Sequence, residues 1–234
     1  QTSRGLSKAM DFPDSLIDPE WMYGAYLPVA AVWLWCLRTA PWRRLAGSGQ
    51  QNVWLGTVVV LVLMWSLKAE FKPGLALHLL GATAFTLMFG RQLAIVGLSL
   101  VLAAVTFNGS HGIVVGGQAY GLNALTTIAV PVFVAGAILR AVERWLPANF
   151  FVFVFFAAFF GAGITVVLTG LASTLLLGAA SRYSLEMLFS EFFLSYVLLA
   201  FAEAWLTGAL ITLMVVYLPH WVGSFDDRRY LWNK

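Results

Sequence analysis

The feature that most constrains this chain is a series of long apolar runs separated by short polar stretches. The runs fall at about 21–37, 52–67, 74–90, 92–107, 122–139, 149–179 and 187–218. A helix needs about 20 mostly apolar residues to cross the hydrocarbon core of a bilayer. Only 11% of the residues are charged, whereas a soluble domain has about 25%. The pattern therefore predicts an all-α membrane protein, a bundle of about seven transmembrane helices.

The runs leave no room for a second domain, so residues 10–234 are expected to form a single transmembrane domain. Residues 1–9 precede Met10, and we interpret them as either the remnant of a tag or a native polar leader. The run 149–179 is longer than one upright span requires. We expect this helix either to tilt or to end in a surface turn near Gly170 to Ser173.

Positively charged residues are distributed unevenly between the two faces of the predicted bundle. One face carries nine of them: Arg38, Arg43, Arg44, Arg91, Arg140, Arg144, Arg228, Arg229 and Lys234. The other face carries five: Arg4, Lys8, Lys68, Lys72 and Arg182. Because cytoplasmic segments of membrane proteins are enriched in Lys and Arg, we expect the N-terminus outside and the C-terminus in the cytoplasm. The charges are orientation signals on this interpretation, and no nucleic-acid partner is expected.

Two ionisable residues lie inside apolar runs. His78 follows the loop after the second run, and a helical rise of about 1.5 Å per residue would place it about 6 Å inside the third helix. Glu203 lies near the middle of the last run, where a carboxylate costs at least about 2–3 kcal/mol unless it is paired, protonated or facing a cavity. Each is either an ordinary polar contact between helices or part of a functional site.

Further polar residues are concentrated in the segments predicted to lie outside. They include Asp11, Asp14, Asn108, His111 and Asn123. The loop 106–123 is rich in glycine and has no charged residue, so its backbone can approach a ligand closely. Such a loop is tolerated at membrane depth only where it packs against protein or lines a water-filled cavity. These segments predict a cavity at the outer side of the bundle.

The sequence lacks the motifs of several enzyme classes. It has no P-loop, no GxSxG elbow, no HExxH and no CxxCH motif. No nucleophile with an adjacent base can be identified from the spacing of the polar residues. We therefore predict that the protein is not an enzyme, and an intramembrane enzyme using Glu203 and the histidines is the least favoured hypothesis.

Two segments, FKPGLALHLLGATAFTLMFG and VTFNGSHGIVVGGQAYGLNAL, resemble the CbiM/NikM family, the substrate-capture membrane subunits of energy-coupling-factor nickel and cobalt transporters. The matching positions are Gly74, His78, Leu79, Leu80 and Gly81, then Phe107, Gly109, Gly112, Gly121 and Asn123, and finally Glu203 and Thr207. The segment MDFPDSL is similar to the opening M-H-I-P-D-G of the family at Met10, Pro13 and Asp14. The resemblance extends from Met10 to about Tyr217.

The resemblance implies a seven-helix bundle whose outer cavity is capped by the N-terminal segment. In the family, the metal is held by the N-terminal amine, a histidine at position two and the histidine that aligns with His78. Here Asp11 replaces the second-position histidine, and His111 is an additional histidine in the outer loop. The candidate metal ligands are His78, Asp11, His111 and Met10. The candidate cavity-lining residues are Asp14, Asn108, Asn123, Tyr196, Glu203 and Thr207.

On this resemblance the protein is a substrate-capture subunit, similar to an S-component, for uptake of a transition-metal cation across a bacterial inner membrane. The substrate would be a divalent nickel, cobalt or zinc ion, because histidine and carboxylate ligands can hold first-row metals. Its partners would be the bilayer and the transmembrane and ATPase subunits of an energy-coupling factor. The alternative is an accessory subunit of a larger membrane assembly that has lost metal transport. The missing histidine favours the alternative, whereas retention of His78, Asn123 and Glu203 argues against it.

Overall fold

The computed structural model describes residues 19–67, 69–72, 75–109, 119–180 and 183–230, and within these ranges the chain is mostly helical. The helices are α1 (Pro19–Gly24), α2 (Tyr26–Thr39), α3 (Ser48–Ser66), α4 (Ala82–Phe89), α5 (Arg91–Gly109), α6 (Tyr120–Trp145), α7 (Phe150–Ala180), α8 (Leu185–Tyr217) and α9 (Asp227–Tyr230). Short 3-10 turns cover Trp42–Leu45 and Pro219–Trp221. Two short antiparallel strands, β1 (Ala69–Lys72) and β2 (Leu75–Leu77), pair Ala69 with Leu77.

The long helices confirm the predicted all-α membrane fold. Helices α6, α7 and α8 are each long and apolar enough to cross a membrane, with mean hydropathies of 2.0, 2.5 and 1.9. Each of them also contains a wider π-helical segment, at Leu125–Ala129, Phe153–Phe159 and Leu188–Phe193 respectively. Such segments are rare and are frequently found at functional sites.

The sixth run forms one continuous helix, α7, of 31 residues. The alternative of a surface turn near Gly170 to Ser173 is therefore wrong, since both residues are buried inside the helix. Gly170 serves close packing and not a turn, because a Cβ atom there would overlap the side chain of Tyr196 on α8.

The third run also departs from the prediction. Helix α4 begins only after Gly81, which has a φ of 64°, a left-handed conformation that glycine adopts at little cost. Residues 78–81, here called the irregular segment, precede the helix without regular secondary structure. His78 therefore lies in this segment, and the prediction that it lies one turn inside a helix is wrong. The physical reason is that Trp65 and Glu203, which lie on other helices, form hydrogen bonds with the backbone of this segment in place of helical ones.

Helix α4 is buried along its whole length and is held at its C-terminal end. The Arg44 guanidinium and the Gly223 N–H both donate to the Met88 carbonyl, at 3.0 Å and 2.9 Å. The Ser224 N–H donates to the Leu87 carbonyl at 3.1 Å. These contacts satisfy carbonyls that have no partner within the helix, and they fix the position of α4 in the bundle.

Candidate functional site

Glu203 is the acidic residue at the centre of the candidate site, and its side chain is only 1% exposed. One carboxyl oxygen, Oε2, accepts the Leu80 N–H at 3.0 Å. The other oxygen, Oε1, accepts the Gly81 N–H at 2.6 Å. The sequence left open whether this carboxyl group is paired, protonated or facing a cavity, and the structure shows that both of its oxygens accept backbone N–H groups.

The two hydrogen bonds join α8 to the start of α4. The first N–H groups of a helix have no acceptor within the helix, and they carry a partial positive charge that favours an acidic side chain. Glu203 provides this acceptor from a different helix, 122 residues away from Gly81 in the sequence. The carboxyl group therefore sets the position of the irregular segment within the bundle.

His78 is the first residue of the irregular segment and is 7% exposed. Its ring packs against the Trp65 indole, with centroids 4.5 Å apart and planes inclined by 38°. Its Nδ1 atom is 3.1 Å from the Leu79 carbonyl oxygen, so the tautomer that makes this bond carries its proton on Nδ1. That tautomer presents the lone pair on Nε2, an arrangement common among metal-binding histidines.

Trp65 fixes the same segment from α3. This residue is buried, and its indole N–H donates to the Leu80 carbonyl at 3.0 Å. The Leu80 peptide groups are thus held by Glu203 through the N–H and by Trp65 through the carbonyl. Sequence reasoning did not identify Trp65 as part of the site, because a tryptophan inside an apolar run gives no sign of a distant hydrogen bond.

A groove of about 680 Å³ lies between α3, α4 and α8. Glu203 and Thr207, one helical turn apart on α8, line it together with mainly apolar side chains of the three helices. Thr207 is 2% exposed. The structure thus brings two of the candidate cavity residues to one groove.

Two other candidate residues lie elsewhere in the bundle. Asn123 on α6 is completely buried, and its side-chain amide has no hydrogen-bond partner among the described residues. Tyr196 on α8 is 3% exposed and packs against Gly170 of α7. Its ring lies 5.2 Å from that of Phe192.

The remaining candidate residues lie outside the part of the chain whose side chains the structure describes. They are Met10, Asp11, Asp14, Asn108 and His111. Among the described residues, no group of three or more His, Cys, Asp or Glu side chains is arranged to hold a metal ion. His78 is therefore the described member of the predicted ligand set.

Comparison with known proteins gives a family and a fold. Residues 11–221 match the sequence model of the family described as CbiM, cobalt uptake substrate-specific transmembrane region. No curated protein sequence matches the chain significantly. The crystal structure of a truncated transition metal transporter is similar with a TM-score of 0.75 and 17% identity, over 89% of this chain and 99% of the other. A second structure, also of a transition metal transporter, has a TM-score of 0.73 and 17% identity, over 90% and 96% of the two chains.

Proposed function

The chain belongs to the CbiM family, and on that basis we propose that it is the substrate-capture subunit for uptake of a transition-metal cation. In this role it binds a divalent ion at the outer side of a bacterial inner membrane and delivers it to the cytoplasm. The observation that carries the proposal is the position of His78, a buried imidazole at the residue where the family is expected to hold its metal.

The surroundings of His78 support a role as a ligand. Trp65 and Glu203 hold the backbone of the irregular segment from two different helices, so the imidazole is positioned before a metal arrives. The ring itself is oriented by the Leu79 carbonyl at Nδ1, and loss of such a second contact of a ligand histidine lowers metal affinity about 10–100-fold.

We propose that His78 binds the ion together with Asp11, His111 and the N-terminal segment that begins at Met10. A set of imidazole and carboxylate ligands suits nickel, cobalt and zinc without strong selectivity. On this proposal the N-terminus is outside, the C-terminus is cytoplasmic, and the cavity above His78 is also lined by Asp14 and the outer loop.

Transport by this subunit needs an external source of energy, because the sequence contains no P-loop for ATP hydrolysis. We therefore propose that it works with the transmembrane and ATPase subunits of an energy-coupling factor. The positively charged residues of the face that carries the C-terminus would meet these subunits on the cytoplasmic side.

Calorimetric titration tests the ligand role of His78. The protein is purified through a tag that contains no histidine and titrated with nickel, cobalt and zinc ions. We expect His78→Ala to weaken binding of the preferred ion at least about 10-fold, because the site loses its buried nitrogen ligand. The matched control is His220→Ala, since His220 is exposed in the turn after α8. Metal binding that is unchanged in His78→Ala would contradict the proposal.

One observation favours a second function, that of an accessory subunit in a larger membrane assembly. Asp11 occupies the position of a family ligand histidine, which removes one nitrogen from the expected set. If the unmodified protein binds none of the three ions, this second function is preferred, and copurification of partner subunits becomes the next measurement.

A further inference from the structure

A stripe of hydroxyl groups runs along one buried face of α7. Thr165, Thr169 and Ser173 follow each other at intervals of four residues, so they lie on the same side of the helix. They are 1%, 0% and 0% exposed, and their hydroxyl oxygens have no hydrogen-bond partner in the described part of the chain. At about 1.5 Å per residue this hydroxyl stripe is about 12 Å long.

Two glycines of α7 show which way the hydroxyl stripe faces. Gly161 packs against Ile138 of α6, and Gly170 packs against Tyr196 of α8. Because successive helical residues are rotated by about 100°, the stripe lies between these two directions. It therefore faces the space between α6 and α8, into which α4 and the π-helical segment Leu125–Ala129 also pack.

Asn123 on α6 is a further buried polar residue. Asn123 lies two residues before the π-helical segment, and neither its amide oxygen nor its amide nitrogen has a partner among the described residues. Leu122 and Leu125 of α6 line a common pocket with Leu176 of α7. The start of α6 is thus adjacent to the turn of α7 that follows Ser173.

These side chains differ from ordinary polar residues in a helix. A buried threonine commonly donates to the carbonyl four residues earlier, as Thr174 does to Gly170 at 2.7 Å and Thr86 does to Ala82 at 2.7 Å. Thr165 and Thr169 make no such bond. Because buried polar groups without partners are costly and uncommon, the hydroxyl stripe is expected to bind something in the interior.

We propose that the hydroxyl stripe binds an internal file of water molecules between α4, α6, α7 and α8. Hydroxyl groups both donate and accept hydrogen bonds, and a buried water typically requires two to four such partners. Neutral hydroxyl oxygens are poor ligands for first-row transition metals compared with imidazole or thiolate, so the file is not a second metal site. The water file is independent of whether the protein transports metal.

Thermal unfolding distinguishes a hydrated stripe from a dry one by the sign of the effect. Thr169→Val removes the hydroxyl and keeps the shape of the side chain. If water is bound, the variant loses a partner of that water, and we expect Tm to fall by about 2–4 °C. A dry, unpartnered hydroxyl would give the opposite result, because its removal relieves a desolvation cost and raises Tm. Thr174→Val is the matched control on the same helix, since its hydroxyl is already bonded to Gly170.

Access of a small ion to the stripe provides a second, independent test. Single cysteines are introduced by Thr169→Cys, Ser173→Cys and Thr174→Cys in a Cys36→Ala background, because Cys36 is the native cysteine of the chain. Silver ions are added to the folded protein, and unreacted thiols are counted after denaturation. We expect the thiols at positions 169 and 173 to react at least tenfold faster than the thiol at 174. Equal rates, or a Tm of Thr169→Val above that of the unmodified protein, would overturn the proposal.

Discussion

Replacing Glu203 tests whether its carboxyl group holds the start of α4. Glu203→Ala leaves the N–H groups of Leu80 and Gly81 buried without an acceptor. Each unsatisfied buried donor costs about 1–3 kcal/mol, so the two together should destabilise the protein by about 2–6 kcal/mol. Glu203→Gln keeps one oxygen acceptor but places an amide NH₂ against the other donor. This variant should therefore lose about 1–3 kcal/mol.

The assay is thermal unfolding of the purified protein in detergent, followed by tryptophan fluorescence. At about 2–4 °C per kcal/mol for a chain of this size, Glu203→Ala should lower Tm by at least about 4 °C. Glu203→Gln should lie between this variant and the unmodified protein. Glu186→Ala is the control, because Glu186 is exposed at the start of the same helix and such surface changes stay within about 0.5 kcal/mol.

Two results would refute the reasoning about Glu203. An unchanged Tm for Glu203→Ala would show that the two hydrogen bonds do not contribute to stability. Equal losses for the alanine and glutamine variants would show that the number of acceptor oxygens does not matter. In both cases the account of how the irregular segment is held beside His78 would fail.

The other predictions concern packing, the support of His78 and topology. Gly170→Ala should destabilise the protein by about 1–3 kcal/mol, because the new methyl group overlaps Tyr196. Gly56→Ala in α3, where a Cβ meets nothing within 4 Å, should instead stabilise it by about 0.5–1 kcal/mol, and thermal unfolding separates the two signs. Trp65→Phe removes the indole N–H donor and should lower both Tm and metal affinity, as measured by thermal unfolding and calorimetry. Asp227→Cys should be labelled by an impermeant maleimide in inside-out vesicles, and labelling in intact cells would contradict the predicted orientation.

The apolar runs by themselves determined most of the helices. A chain in a bilayer must satisfy its backbone hydrogen bonds internally. Long apolar runs such as 149–179 and 187–218 are therefore expected to form helices. The same reasoning identified His78 and Glu203 as candidate functional residues, because ionisable residues inside a membrane are rare and need partners.

Only the tertiary structure decided what those partners are. The stretch before Ala82 is apolar enough to continue a helix, and a single glycine, Gly81, is only a weak local signal for the break. The break depends on hydrogen bonds that Glu203 accepts and Trp65 donates, and both residues are distant from the segment in the sequence. The spacing of Thr165 and Thr169 was equally visible in the sequence. However, threonines in helices usually bond to their own backbone, so the lack of that bond could be seen only once the helices were packed together.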